Sequence, residues 1–62
     1  MNREQIMQVI RMLAKSQGFY SRLLENLMEM RDERPDELDN YLSLLESKNF
    51  QDELDIVLYF ES

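Results

Sequence analysis

Residues 16–30, SQGFYSRLLENLMEM, constrain this chain more than any other stretch, because they carry its only glycine and, read as a helix, its broadest apolar face. At about 100° per residue, Phe19, Tyr20, Leu23, Leu24, Leu27, Met28 and Met30 cover roughly half of the helical circumference, against ~100° for an ordinary surface helix. Such a helix needs neighbours on two sides. The segment therefore predicts a helical bundle with itself at the centre.

The rest of the chain supplies those neighbours. Ile6, Val9, Ile10 and Leu13 recur at the i, i+3, i+4, i+7 spacing of one apolar helical face, with Glu4, Gln8, Arg11 and Lys15 opposite, which predicts a first helix over about residues 2–15. Met12 falls outside that arc, either as an ordinary exposed methionine or as a partner contact. Ser16-Gln17-Gly18 breaks the pattern. Gly18 suits the left-handed position that ends a helix, while Ser16 suits the N-cap of the next, and either gives a tight turn into a second helix over 19–32.

Pro35 pushes Arg34 away from helical geometry and fits the first turn of a new helix. That predicts a third helix over 35–47, with Asp36 and Glu37 at the positive end of its dipole and Leu38, Tyr41, Leu42, Leu44 and Leu45 on one side. Asn49 is then a candidate N-cap with Asp52 three residues later, opening a fourth helix over 50–61. Its Ile56-Val57-Leu58-Tyr59-Phe60 run has the β-branched and aromatic character of a strand. A lone strand has no partner within the chain, so helix is the expectation, with intermolecular strand pairing as the alternative. As a helix it puts Phe50, Leu54, Val57 and Leu58 on one face and Ile56 and Phe60 on another. Either it is wedged among the other helices, or Ile56, Tyr59 and Phe60 form an oligomer or partner interface.

The fold expected is thus a single all-α domain, 1–62, a compact bundle of four short helices. Its expected core is Ile6, Ile10, Leu13, Phe19, Leu23, Leu27, Leu38, Leu42, Leu45, Leu54 and Leu58. A chain of this length buries only about 60% of the surface its unfolded form exposes. Having neither cysteine nor histidine, it cannot compensate with a disulfide or the usual zinc-ligand sets, which leaves self-association as the remaining stabiliser and a homodimer as one expectation.

Charge narrows the function. The net charge is −6, but residues 1–24 carry +3 and residues 25–62 carry −9. That distribution opposes general phosphate binding and adhesion to anionic membranes, and it favours a basic protein partner. No apolar run approaches the ~20 residues of a membrane span, and the amphipathic N-terminus lacks the apolar core of a signal peptide. Together these predict a cytoplasmic protein.

Without histidine or cysteine, the ordinary Ser-His and Cys-His nucleophile systems are not available, and the carboxylates fall on helical faces where solvation explains them. The expectation is a non-enzyme with no cofactor. Asp32, Glu33, Asp36, Glu37 and Asp39 crowd around Pro35 but lack the spacing of a calcium loop, so no metal site is expected. In the second helix Glu25, Glu29 and Asp32 or Glu33 repeat at i, i+4, i+7 or i+8 and form one acidic stripe. With Asp36, these are the candidate partner-binding residues.

Two resemblances add to this reading. Leu13-Ala14-x-x-x-Gly18-Phe19 followed by Leu24 and Leu27 resembles the helix-turn-helix pattern over about fifteen residues, with a small residue under the turn and a glycine four later making it. By that resemblance Tyr20, Ser21, Arg22, Glu25 and Asn26 would read DNA as part of a regulator. Only Arg22 of these is basic, and the helix runs on into four carboxylates of the wrong sign. Residues 13–24 and 49–55 together look like a group of short uncharacterised proteins of Gram-positive bacteria and their phages or mobile elements. That resemblance implies a small accessory protein that works by binding, and it brings no site residues.

The function expected is therefore a non-enzymatic acidic protein-interaction module acting on a basic partner. The alternatives are an acidic nucleic-acid mimic that inhibits a host nuclease or DNA-binding protein, and the helix-turn-helix regulator.

Overall fold

A computed structural model describes residues 1–62. Four helices follow in order, α1 (Arg3–Ala14), α2 (Gly18–Glu33), α3 (Pro35–Ser47) and α4 (Glu53–Glu61), and there are no strands. The 56–60 run is helical, as expected.

Each boundary has a local cause. Asn2 caps α1 through a reciprocal pair: the Gln5 amide donates to Asn2 Oδ1 at 2.9 Å, and the Asn2 amide donates to Gln5 Oε1 at 3.0 Å. α1 ends in a turn in which the Ser16 and Gln17 amides both donate to the Leu13 carbonyl. The extended residue before α2 is Gln17, whose side chain makes no cap hydrogen bond. Both expectations for this turn are corrected: Gly18 does not adopt the left-handed conformation, and Ser16 is not the N-cap. Gly18 is instead the first residue of α2, and a β-carbon placed there would meet nothing within 4 Å.

Arg34 is the single non-helical residue between α2 and α3. Its amide still donates to the Met30 carbonyl and its carbonyl accepts from Leu38, so one residue serves both helix ends, with Pro35 at the start of α3. The next junction differs from expectation. Asn49 has φ 57° and its amide donates to the Glu46 carbonyl, so it closes α3 in the left-handed position that asparagine tolerates. Asp52 is the N-cap of α4, accepting from the Asp55 amide at 3.1 Å, while the Asp55 carboxylate accepts from the Gln51 amide at 2.8 Å.

α1, α2 and α3 pack on one another in all three pairings, and α4 joins this group by adding Ile56 to the core, with Val57 and Phe60 packed against it. The core consists of Ile6, Val9, Ile10 and Leu13 of α1, Tyr20 and Leu27 of α2, Leu42 and Leu45 of α3, Phe50 of the loop and Ile56 of α4. α1 thus contributes more buried side chains than α2, which was expected to be the hub. Leu23 and Leu38 pack against the core only half-buried.

Three expected core residues lie outside. Phe19 is 52% exposed, Leu54 61% and Leu58 56%. For Phe19 the reason is its place at the margin of the apolar arc, whose centre points Tyr20 and Leu27 inward. For Leu54 and Leu58 it is the late start of α4. Phe50 belongs to the loop and is buried independently of the helix, so it does not bring Leu54 and Leu58 in with it; Ile56, on the opposite side, enters the core instead.

One polar clip crosses the bundle. Arg3 lies along α3 and engages Asp39, Ser43 and Glu46, residues at i, i+4 and i+7. Its Nε donates to Glu46 Oε1 at 3.0 Å, its backbone amide to Glu46 Oε2 at 3.2 Å, and Nη2 to Ser43 Oγ at 3.0 Å. Its hydrogen bonds to Asp39 and Glu46 push the Arg3 pKa further up.

Candidate functional site

The helical period of α2 turns Leu27 and Tyr20 inward and carries Glu25, Glu29, Asp32 and Glu33 on the opposite, exposed side. Asp36 is also exposed, one residue past Pro35 in the first turn of α3. Asp32 pairs at 3.3 Å with its neighbour Arg31, and Arg34 pairs at 3.0 Å with Glu37. Glu25, Glu29, Glu33 and Asp36 take part in no intramolecular ion pair. They are left open to an external group, whereas Asp39 and Glu46 are held by Arg3.

The residues expected to read DNA do not share one exposed surface. Tyr20 is fully buried, Ser21 half-buried, and only Arg22, Glu25 and Asn26 are exposed. Tyr20 cannot touch a nucleic acid in this conformation. Its ring packs edge-on against Phe19 at 5.1 Å and Phe60 at 6.0 Å between centroids. Its hydroxyl is closed off from solvent and has no hydrogen-bond partner. That burial, together with the nearby Glu61 carboxylate, raises its pKa above 10.0.

The expected α4 interface also divides. Ile56 is 0% exposed and belongs to the chain's own core, so it cannot form part of an interface with another chain. Phe60 is half-buried against Phe19, Tyr20 and Tyr59. Tyr59 is partly exposed, with Phe50 at 5.6 Å and the Lys48 ammonium 5.5 Å from its ring centre. The α4 side chains that do face outward are Leu54 and Leu58. Their i, i+4 spacing is that of a core face, but in the folded chain it faces outward.

Glu4, Gln8, Met7 and Arg11 of α1, with Arg3 and Leu42, line an open groove of about 370 Å³. Its Arg3 end is already occupied by the α3 carboxylates, and none of the acidic stripe borders it. No group of three Asp or Glu side chains converges closely enough to hold a metal ion, and no helix is long and apolar enough to cross a membrane. No protein family model, curated protein or solved structure matches the chain.

Proposed function

We propose that this chain is a non-enzymatic acidic protein-interaction module, an accessory protein of a phage or mobile element working in the cytoplasm, and that its partner presents a basic surface. The observation that carries this reading is the outward edge of α2. Glu25, Glu29 and Glu33 are exposed on one helical side and none of them is in an ion pair, and Asp36 extends the charge across the Arg34 junction. A set of unpaired like charges costs a small domain some self-repulsion, and a basic partner relieves it while gaining a faster encounter.

The test compares capture from host lysate by wild type and by a Glu25→Lys/Glu29→Lys/Glu33→Lys variant, with bound proteins quantified by mass spectrometry. The reading expects wild type to enrich basic-surfaced proteins that the variant loses. Equal retrieval by both would mean the stripe is only a solvated face. Recovery of a nuclease or DNA-binding protein through its nucleic-acid site would identify the module as a nucleic-acid mimic.

A further inference from the structure

The groove between α1 and α3 has half-buried Met7 and the core residue Leu42 as its apolar floor, with Glu4, Gln8 and Arg11 along its α1 rim. The three rim residues stand at i, i+4 and i+7, so they share one exposed stripe of the helix. Neither Glu4 nor Arg11 has an ion-pair partner within the chain. The stripe thus carries a free negative charge near its start and a free positive charge near its end, about 10 Å apart along the axis at about 1.5 Å per residue. Turned end for end, the same stripe presents the opposite order of charges.

We infer that this groove docks a second copy of the chain, α1 against α1 in antiparallel orientation about a twofold axis, with Glu4 of each copy paired to Arg11 of the other. Such an interface is isologous. Its axis passes beside Met7 and Gln8, midway between the two charged residues, so the two flexible Met7 side chains meet over the apolar floor and cover it. Charge order selects this occupant. A uniformly acidic partner satisfies Arg11 and opposes Glu4, a uniformly basic one does the reverse, and the antiparallel copy matches both ends at once. A small ligand fits poorly, because the groove is open and none of the polar side chains lining it is buried to orient one. α1 also belongs to the half of the chain that carries +3, and none of the α2 carboxylates borders the groove. The contact is therefore separate from the α2 edge proposed for a basic partner.

One helix face makes a small interface, of the weak and transient class, so sedimentation equilibrium of the full chain should extend to about 1 mM. Wild type is expected to dimerise reversibly, and less tightly as salt rises. Glu4→Arg makes the stripe wholly positive and Arg11→Glu makes it wholly negative, so each variant alone should dimerise at least tenfold more weakly. An equimolar mixture of the two should recover association at least as strong as wild type. So should Glu4→Arg/Arg11→Glu, in which both pairs re-form with their signs exchanged. Both side chains are exposed and unpaired, so the circular dichroism spectrum of every variant should stay helical.

A wild type that remains monomeric throughout overturns the inference. A dimer that survives both single reversals overturns it too, by placing the contact elsewhere, and so does failure of the mixture and the double variant to restore what the single reversals lose. Glu25→Lys/Glu29→Lys/Glu33→Lys should keep the dimer; its loss there would move the contact to the α2 edge. Capture of a basic partner by that edge is read in a different assay, so the two proposals fail separately.

Discussion

Replacing Ile56 by alanine probes how α4 is attached. Ile56 has no solvent exposure and is the only fully buried side chain that α4 contributes. Truncating a buried isoleucine to alanine costs about 2–5 kcal/mol, through lost transfer energy and the cavity left behind. At about 0.05–0.15 kcal/mol per residue, a chain of this length holds about 3–9 kcal/mol of stability in all. Ile56→Ala therefore removes a large part of it. Leu58→Ala is the matched control. Leu58 is 56% exposed, so less than half of its surface is at stake and no closed cavity forms, which limits the loss to about 0.5–1 kcal/mol. Urea unfolding followed by circular dichroism separates the two. At about 1 kcal/mol per molar for a protein this small, Ile56→Ala lowers the midpoint by about 2 M or more, to the point of unfolding in water, and Leu58→Ala by less than about 1 M. Equal losses, or a larger loss for Leu58→Ala, would refute the orientation of α4 and turn Leu54 and Leu58 inward.

Tyr20→Phe should stabilise the protein by about 1 kcal/mol, since it removes a buried hydroxyl that has no partner; a lower melting temperature for the variant would show that the hydroxyl is bonded, with Glu61 the adjacent acceptor. Burial raises the pKa of both Tyr20 and Tyr41 above the unfolded value of 10.0. Below pH 10 both tyrosines are neutral in either state, while above it the unfolded chain gives up its protons first, so stability falls with rising pH until the folded values are passed. Urea midpoints at pH 9 and 11 should show that fall, and Tyr20→Phe/Tyr41→Phe should flatten it; a midpoint that rises with pH contradicts the sign. Gly18→Ala should raise stability by about 0.4–1 kcal/mol, because the position is helical, open and not left-handed. A destabilised Gly18→Ala would instead indicate the strained glycine turn that the helix-turn-helix resemblance implies.

Much of this architecture is legible in the sequence because the signals are local. The α1 face at Ile6, Val9, Ile10 and Leu13 follows from spacing alone, and Pro35 with the dipole-favoured Asp36 and Glu37 sets the start of α3. The acidic side of α2 is equally local, since helical period places Glu25, Glu29 and Glu33 opposite Leu27. The errors fall where local preference is ambiguous. Asn49 fits both an N-cap and a left-handed C-terminal position, and choosing the first lengthens α4 by one turn and enlists Phe50 in the wrong face. Because α4 is apolar nearly all round, its periodicity cannot decide between Ile56 and Leu58, and packing against α1–α3 makes that choice. The broad arc of α2 similarly leaves open whether Phe19 or Tyr20 points inward. The Arg3 clip to Asp39, Ser43 and Glu46 joins residues 36–43 positions apart and has no signature in one dimension.

If unpaired carboxylates on the α2 edge recruit a basic partner, electrostatic steering sets the rate of that encounter. The most direct measurement is the association rate constant of the captured partner with wild type and with Glu25→Lys/Glu29→Lys/Glu33→Lys, taken by stopped flow at about 20 and about 200 mM salt, where screening shortens from tens of ångströms to under about 10 Å. The wild-type rate should drop roughly tenfold or more across that range, with the variant slow and nearly salt-insensitive. Equal, salt-insensitive rates for both proteins would show that the α2 carboxylates do not recruit the partner.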